Sequence, residues 1–129
     1  MKPEEVKSFF ANDHFANECT NIEILEVSEG YAKTRIVVED KHRNANNVVM
    51  GGCIYTLADY TFALAANCGD SKAMTLSSNI TFNSAASGSI LYAETEAIKD
   101  GRTVCNYLVK ITDEKDRTIA TATMIGFKS

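Results

Sequence analysis

The stretch that most constrains this chain is CIYTLADYTFALAANC, Cys53 to Cys68, which is apolar on nearly every helical face. A helix of that kind has to be covered from all sides. It is too short and too interrupted to span a bilayer, so it reads as a buried helix of roughly four turns. Gly51-Gly52 lead into it and Gly69 supplies a stop, giving a central helix over residues 51–68. A chain of 129 residues can build one sizeable core and not two. Whatever wraps the helix must therefore come from the flanking sequence.

Those flanks are mostly strand-like. Pro3 with Glu4 and Glu5 marks a short helix at 3–10, within an N-terminal helical segment, 1–14. Residues 22–28 and 31–38 form a hairpin about Glu29-Gly30. Met74, Leu76, Ile80 and Phe82 alternate with Thr75, Ser77, Asn79 and Thr81, a pattern that predicts one core face and one polar face. Residues 90–98, 103–112 and 117–127 are three further strands, turned at Asp100-Gly101 and Asp113 to Asp116. No repeat or linker divides residues 1–129, so one domain is expected. The order predicts an α+β fold, a curved antiparallel sheet of about six strands wrapped around one apolar helix.

Charge and cysteine usage remove several functions. Thirteen Lys and Arg against seventeen Asp and Glu give a net charge of −4 with no basic stripe, so neither nucleic acid nor an anionic membrane is an expected partner. Cys19, Cys53, Cys68 and Cys105 are scattered without a C-x-x-C pair, and only His14 and His42 could join them, so no metal site is expected. Both histidines read as surface or loop residues. Reduced thiols and a charged N-terminus without an apolar signal core point to a cytoplasmic protein.

Asp59 is the only charged residue between Asn44 and Gly69. A lone carboxylate inside an apolar helix costs several kcal/mol unless it is paired or hydrogen-bonded. It serves either as a structural partner, capping backbone or meeting a lysine across an interface, or as a general base or nucleophile with a tunable pKa. Gly51 and Gly52 stand where a helix N-terminus exposes unpaired N–H groups and the positive end of its dipole. Such a place can hold a carbonyl oxygen that becomes negative during acyl transfer.

Taken as a string, His42-Arg43-Asn44, Gly51-Gly52-Cys53-Ile54-Tyr55-Thr56-Leu57-Ala58-Asp59, Phe62-Ala63 and Ala66-Asn67 resemble the hotdog-fold acyl-CoA thioesterases of the phenylacetate-degradation (PaaI-like) type. Ser78 to Phe82 and Lys99 to Arg102 also look like that family, and the likeness extends over residues 15–127. It implies hydrolysis of an acyl-CoA to free acid and CoA, with no cofactor beyond the CoA of the substrate. By the same resemblance Asp59 stands at the catalytic carboxylate, Asn44 at the residue that holds water or thioester, and Gly51 at the N–H facing the thioester oxygen. Thr75 aligns with a hydroxyl that assists from the neighbouring subunit, which implies a homodimer with shared active sites, or dimers paired into a tetramer. Gly52, Tyr55 and Met50 would line the substrate, and Arg102 offers a guanidinium to a CoA phosphate. Met50 departs from the family pattern, which has His there. A thioether has no proton to donate, so the alternative is an acyl-CoA or acyl-ligand binding protein with little turnover. The fold's dehydratases, with a His and acid in a proline-rich motif, do not match a chain whose one proline is Pro3. Nor does the branch that carries aspartate-threonine-aspartate near the N-terminus.

Overall fold

A computed structural model describes residues 1–129. The chain runs α1 (Pro3–Phe10), a π turn (Phe15–Cys19), β1 (Glu23–Ser28), β2 (Tyr31–Val37), a 3-10 turn (Asp40–His42), α2 (Gly51–Asn67), β3 (Ala73–Phe82), β4 (Ile90–Asp100), β5 (Val104–Asp113) and β6 (Thr118–Lys128). All strand pairs are antiparallel and the sheet order is β1-β2-β4-β5-β6-β3. The sheet curves around α2, which packs against all six strands. The α+β arrangement expected from the sequence is the one observed.

The core forms between the apolar side of α2 and the facing side of the sheet. Leu57, Ala58, Phe62, Leu64 and Ala65 are buried against Ile36, Leu91, Val109, Ile111 and Met124. Each large aliphatic or aromatic side chain in this layer contributes about 1.5–3 kcal/mol of burial. Phe62 stacks edge-on to Tyr107 with ring centroids 5.4 Å apart. Gly126 makes room for that ring, since a Cβ there would sit 2.8 Å from the Phe62 Cζ and 2.9 Å from the Cys105 sulfur. The buried threonines are satisfied, and Thr95 accepts the Ala32 N–H at 2.9 Å. Thr61 donates to the Leu57 carbonyl at 2.6 Å, and its Oγ1 lies 2.7 Å from that of Thr34.

Two expectations are corrected. The helix is not wrapped on all sides: Gly52, Tyr55, Thr56, Asp59 and Ala63, at helical spacing, form a stripe that the sheet does not bury. Covering a helix fully would need sheet on every side, and one curved layer reaches only part of the way round. The predicted core face of β3 is also absent. Met74 (70%), Leu76 (62%) and Phe82 (51%) are exposed, because β3 is an edge strand and a bulge between Thr75 and Ser77 breaks the alternation.

Candidate active site

The end of α2 fixes where β3 runs. The Asn67 side chain donates to the Ala63 and Ala73 carbonyls at 2.8 and 3.0 Å and accepts the Ala73 N–H at 3.0 Å, clamping the first residue of β3 to the last turn of the helix. From there β3 passes along the open stripe. Thr75 donates its hydroxyl to Asp59 Oδ1 at 2.9 Å, and Tyr55 Oη meets Ser78 Oγ at 2.7 Å. Nearer the N-terminal end of α2, the Phe82 ring lies against Gly51, where a Cβ would meet its Cζ at 3.3 Å. Residues three apart on a regular strand point to opposite faces. The bulge at Leu76 lets Thr75 and Ser78 both reach the helix.

Asp59 is half-buried and its contact is a hydroxyl, with no ion pair. The lysine partner considered for a purely structural role is not there within this chain. Thr75 serves Asp59 of its own chain. The resemblance implied a hydroxyl that assists from a neighbouring subunit; within one chain the Thr75 hydroxyl is bonded to its own Asp59.

The N-terminal end of α2 is built separately. Asn44 Oδ1 accepts the N–H groups of Asn46 (2.9 Å) and Val48 (3.3 Å), folding the loop on itself, while Asn47 takes a left-handed φ of 62°. His42 is buried rather than exposed, correcting the surface reading. Its Nδ1 accepts the Glu39 N–H at 2.9 Å and its Nε2 donates to the Thr20 carbonyl at 2.9 Å. The His42 carbonyl then accepts the Met50 N–H, which sets the point where the helix begins. Met50 caps that point with extended backbone and no side-chain bond, and it is half-exposed. The N–H groups of Gly51 and Gly52 have no acceptor within the chain. With no acidic residue in the first turn, the dipole end is open to an oxyanion. Nearby Cys53 is no competing nucleophile, because burial pushes its thiol up to about 11.

The two halves are set apart along the helix. Asp59 lies eight residues along α2 from Gly51, about 12 Å at 1.5 Å per residue. Thus the structure brings together Asp59, Thr75 and Tyr55, and separately Met50, Gly51 and Gly52, with Asn44 bonded within the loop that leads to them. Arg102 belongs to neither group. It is exposed in the 101–103 connection between β4 and β5 and is held by no ion pair.

A further wall comes from residues the sequence did not flag. Asp13, His14 and Phe15, leading into the π turn, face Tyr55, Asp59 and Tyr60 across a cleft of about 340 Å³. Partial burial and then the Asp59 carboxylate hold Asp13 above its ordinary value. Burial raises the Tyr60 hydroxyl, which donates to the Phe10 carbonyl at 3.2 Å. The adjacent Asp13-His14 pair was the one visible signal, and nothing in its spacing ties it to α2.

Residues 46–120 match the thioesterase superfamily. The chain belongs to that family, and its architecture is the hotdog fold. A protein of Archaeoglobus fulgidus described as an esterase is 38% identical over 120 residues, covering 92% of this chain and 78% of that protein. The acyl-coenzyme A thioesterase PaaI of Escherichia coli is 25% identical over 118 residues, 91% of this chain and 84% of that one. A solved structure of the E. coli PaaI protein superposes with a TM-score of 0.91 at 20% identity, over 98% of this chain and 93% of that chain. A Streptococcus mutans protein solved with acetyl CoA bound superposes with a TM-score of 0.80 at 26% identity, over 84% and 89% of the two chains. The PaaI-like resemblance noted in the sequence holds at the level of the whole fold.

Proposed function

We propose that this protein hydrolyses acyl-CoA thioesters to a free acid and CoA, with Asp59 as general base or nucleophile. The observation that carries the reading is the Asp59–Thr75 pair opening on the cleft. The hydroxyl fixes one carboxylate oxygen and leaves the other to act. As a base, Asp59 takes a proton from water while the water oxygen bonds to the thioester carbon. The tetrahedral adduct collapses, the C–S bond breaks, and the CoA thiolate leaves and takes up a proton. As a nucleophile, the same carboxylate attacks the thioester carbon, the C–S bond breaks and the CoA thiolate leaves and takes up a proton, and water cleaves the resulting acyl anhydride to the free acid and the Asp59 carboxylate.

The developing oxyanion falls to the Gly51 N–H, with the Gly52 N–H next to it, and Asn44 orients the water or thioester. Because that group lies a helix half-length from Asp59, the working site joins the α2 N-terminus of one copy to Asp59 and Thr75 of another. A homodimer with two shared sites is therefore part of the proposal, and pairing of dimers into a tetramer is compatible with it. Tyr55 and Met50 line the substrate, and Arg102, held by no ion pair, is available to a CoA phosphate. The esterase and acyl-CoA thioesterase descriptions of the relatives and the acetyl CoA of the S. mutans structure support this reading.

Thiol release from a panel of acyl-CoAs tests it. Asp59→Ala should lower kcat by about 10²–10⁴, the usual contribution of a positioned base. Equal rates for the two proteins would remove Asp59 from the mechanism. Met50 favours a second reading, an acyl-CoA binding protein with little turnover, since no side-chain donor stands at the helix start. Calorimetric binding without thiol release, with turnover restored in Met50→His, would select that reading.

A further inference from the structure

The cleft beside Asp59 has two carboxylates on opposite walls. Asp59 comes from α2 and Asp13 from the segment after α1, and the two repel across the space between them. The other titratable groups facing the cleft are Tyr55, Tyr60 and His14. Of these only His14 can carry a positive charge, and its Nδ1 lies 3.2 Å from Glu18 Oε2, so it is already paired outside the cleft. β3 brings only the neutral hydroxyls of Thr75 and Ser78. Phe15 and Ala63 supply apolar surface. No lysine or arginine lines the space.

A cleft of this charge cannot hold the phosphate-bearing end of CoA, which leaves it to the acyl group. We propose that Asp13 is a specificity-determining residue that makes the cleft reject acyl groups ending in a carboxylate and accept uncharged ones. The proposal rests on the acyl-CoA thioesterase reading. A carboxylate brought between exposed Asp13 and half-buried Asp59 is repelled by both and meets no cation to offset that repulsion. About 340 Å³ is room for a short aliphatic chain or one ring, which would bring a terminal carboxylate up to Asp13. Selection by Asp13 is separable from catalysis by Asp59, because both substrates of a pair react through the same Asp59.

The test compares hexanoyl-CoA with glutaryl-CoA, similar in length and different in charge, in the full-length protein. Wild type should favour hexanoyl-CoA in kcat/KM. Asp13→Asn should shrink the ratio by about tenfold through a rise in the glutaryl-CoA value, Asp13→Lys should shrink it further, and Asp13→Glu should keep it. An unchanged ratio in both Asp13→Asn and Asp13→Lys, with hexanoyl-CoA still hydrolysed, would overturn the role of Asp13 alone. Absence of hexanoyl-CoA hydrolysis and of any other acyl-CoA hydrolysis by wild type would instead overturn the thioesterase reading on which it stands.

Discussion

The sheet has two edges, and they are finished differently. β1 carries Glu23 and Glu26, ties Glu23 to Arg35 at 3.1 Å, and is backed by α1. β3 has no charged residue over its ten positions and exposes Met74, Leu76 and Phe82. Charges on an edge strand discourage pairing with another chain, and β3 lacks that protection. Both edges carry a bulge with a leucine in it, Leu25 on β1 and Leu76 on β3, so the bulge alone does not distinguish them. In the proposed homodimer, the difference marks β3 as the edge for the second copy. The unprotected edge is also the strand whose Thr75 bonds Asp59, so in that dimer assembly and chemistry would share one element.

The matched leucines allow the comparison to be broken. Leu76→Glu should dissociate the protein towards a species of 14.1 kDa at low micromolar concentration and cut thioesterase activity by at least about tenfold, because the far half of the site departs with the partner. Leu25→Glu should change neither, since β1 is already charged. Sedimentation velocity with parallel thiol-release assays checks both. Equal effects at the two positions would end the distinction between the edges.

A smaller effect separates the two duties of β3. Thr75→Val keeps the branched shape and removes the hydroxyl that orients Asp59. It should lower kcat by roughly tenfold, near the worth of one hydrogen bond to a charged group, and leave the sedimentation coefficient unchanged. Thr75→Ser should recover most of the loss. A change in assembly without a change in kcat would place Thr75 in the interface alone.

How much of this was legible in the sequence follows from how local each signal is. The helix expected over 51–68 is observed at Gly51–Asn67, because its apolar run and glycine borders are local. The hairpin turns at Glu29-Gly30 and Asp113 to Asp116 were legible for the same reason, as Gly30 and Asp116 have the left-handed φ values of 75° and 61° such turns require. Asp59 stood out as a lone charge. That Thr75 and Ser78 both face α2 did not, since the residue inserted between them at the bulge reverses every side chain after it, and no periodicity announces it. His42 looked like a loop residue, and its burial depends on backbone from Thr20, distant in sequence. Asp13 joins the site only through tertiary packing. The open stripe of α2 was hidden because its composition is as apolar as a fully wrapped helix, apart from Asp59 itself.

The central claim is that one site takes its oxyanion donor from one chain and its carboxylate from another, and subunit mixing tests it directly. Gly51→Pro removes the donor N–H and fits the backbone, since proline suits the first helical position and Met50 before it already has the extended ψ of 139° that proline demands. The half-exposed Phe82 ring, 3.3 Å from the added Cβ, has to shift, so assembly of the variant is checked alongside its rate. Gly51→Pro and Asp59→Asn homodimers should each be nearly inactive. In a mixed dimer of the shared-site kind, both lesions fall in one site and the other site is intact, so heterodimers verified by native mass spectrometry should regain about half the wild-type rate per dimer. If both groups served one site within a single chain, every site of the mixed dimer would carry a lesion. Activity no greater than that of the two parents would contradict the account.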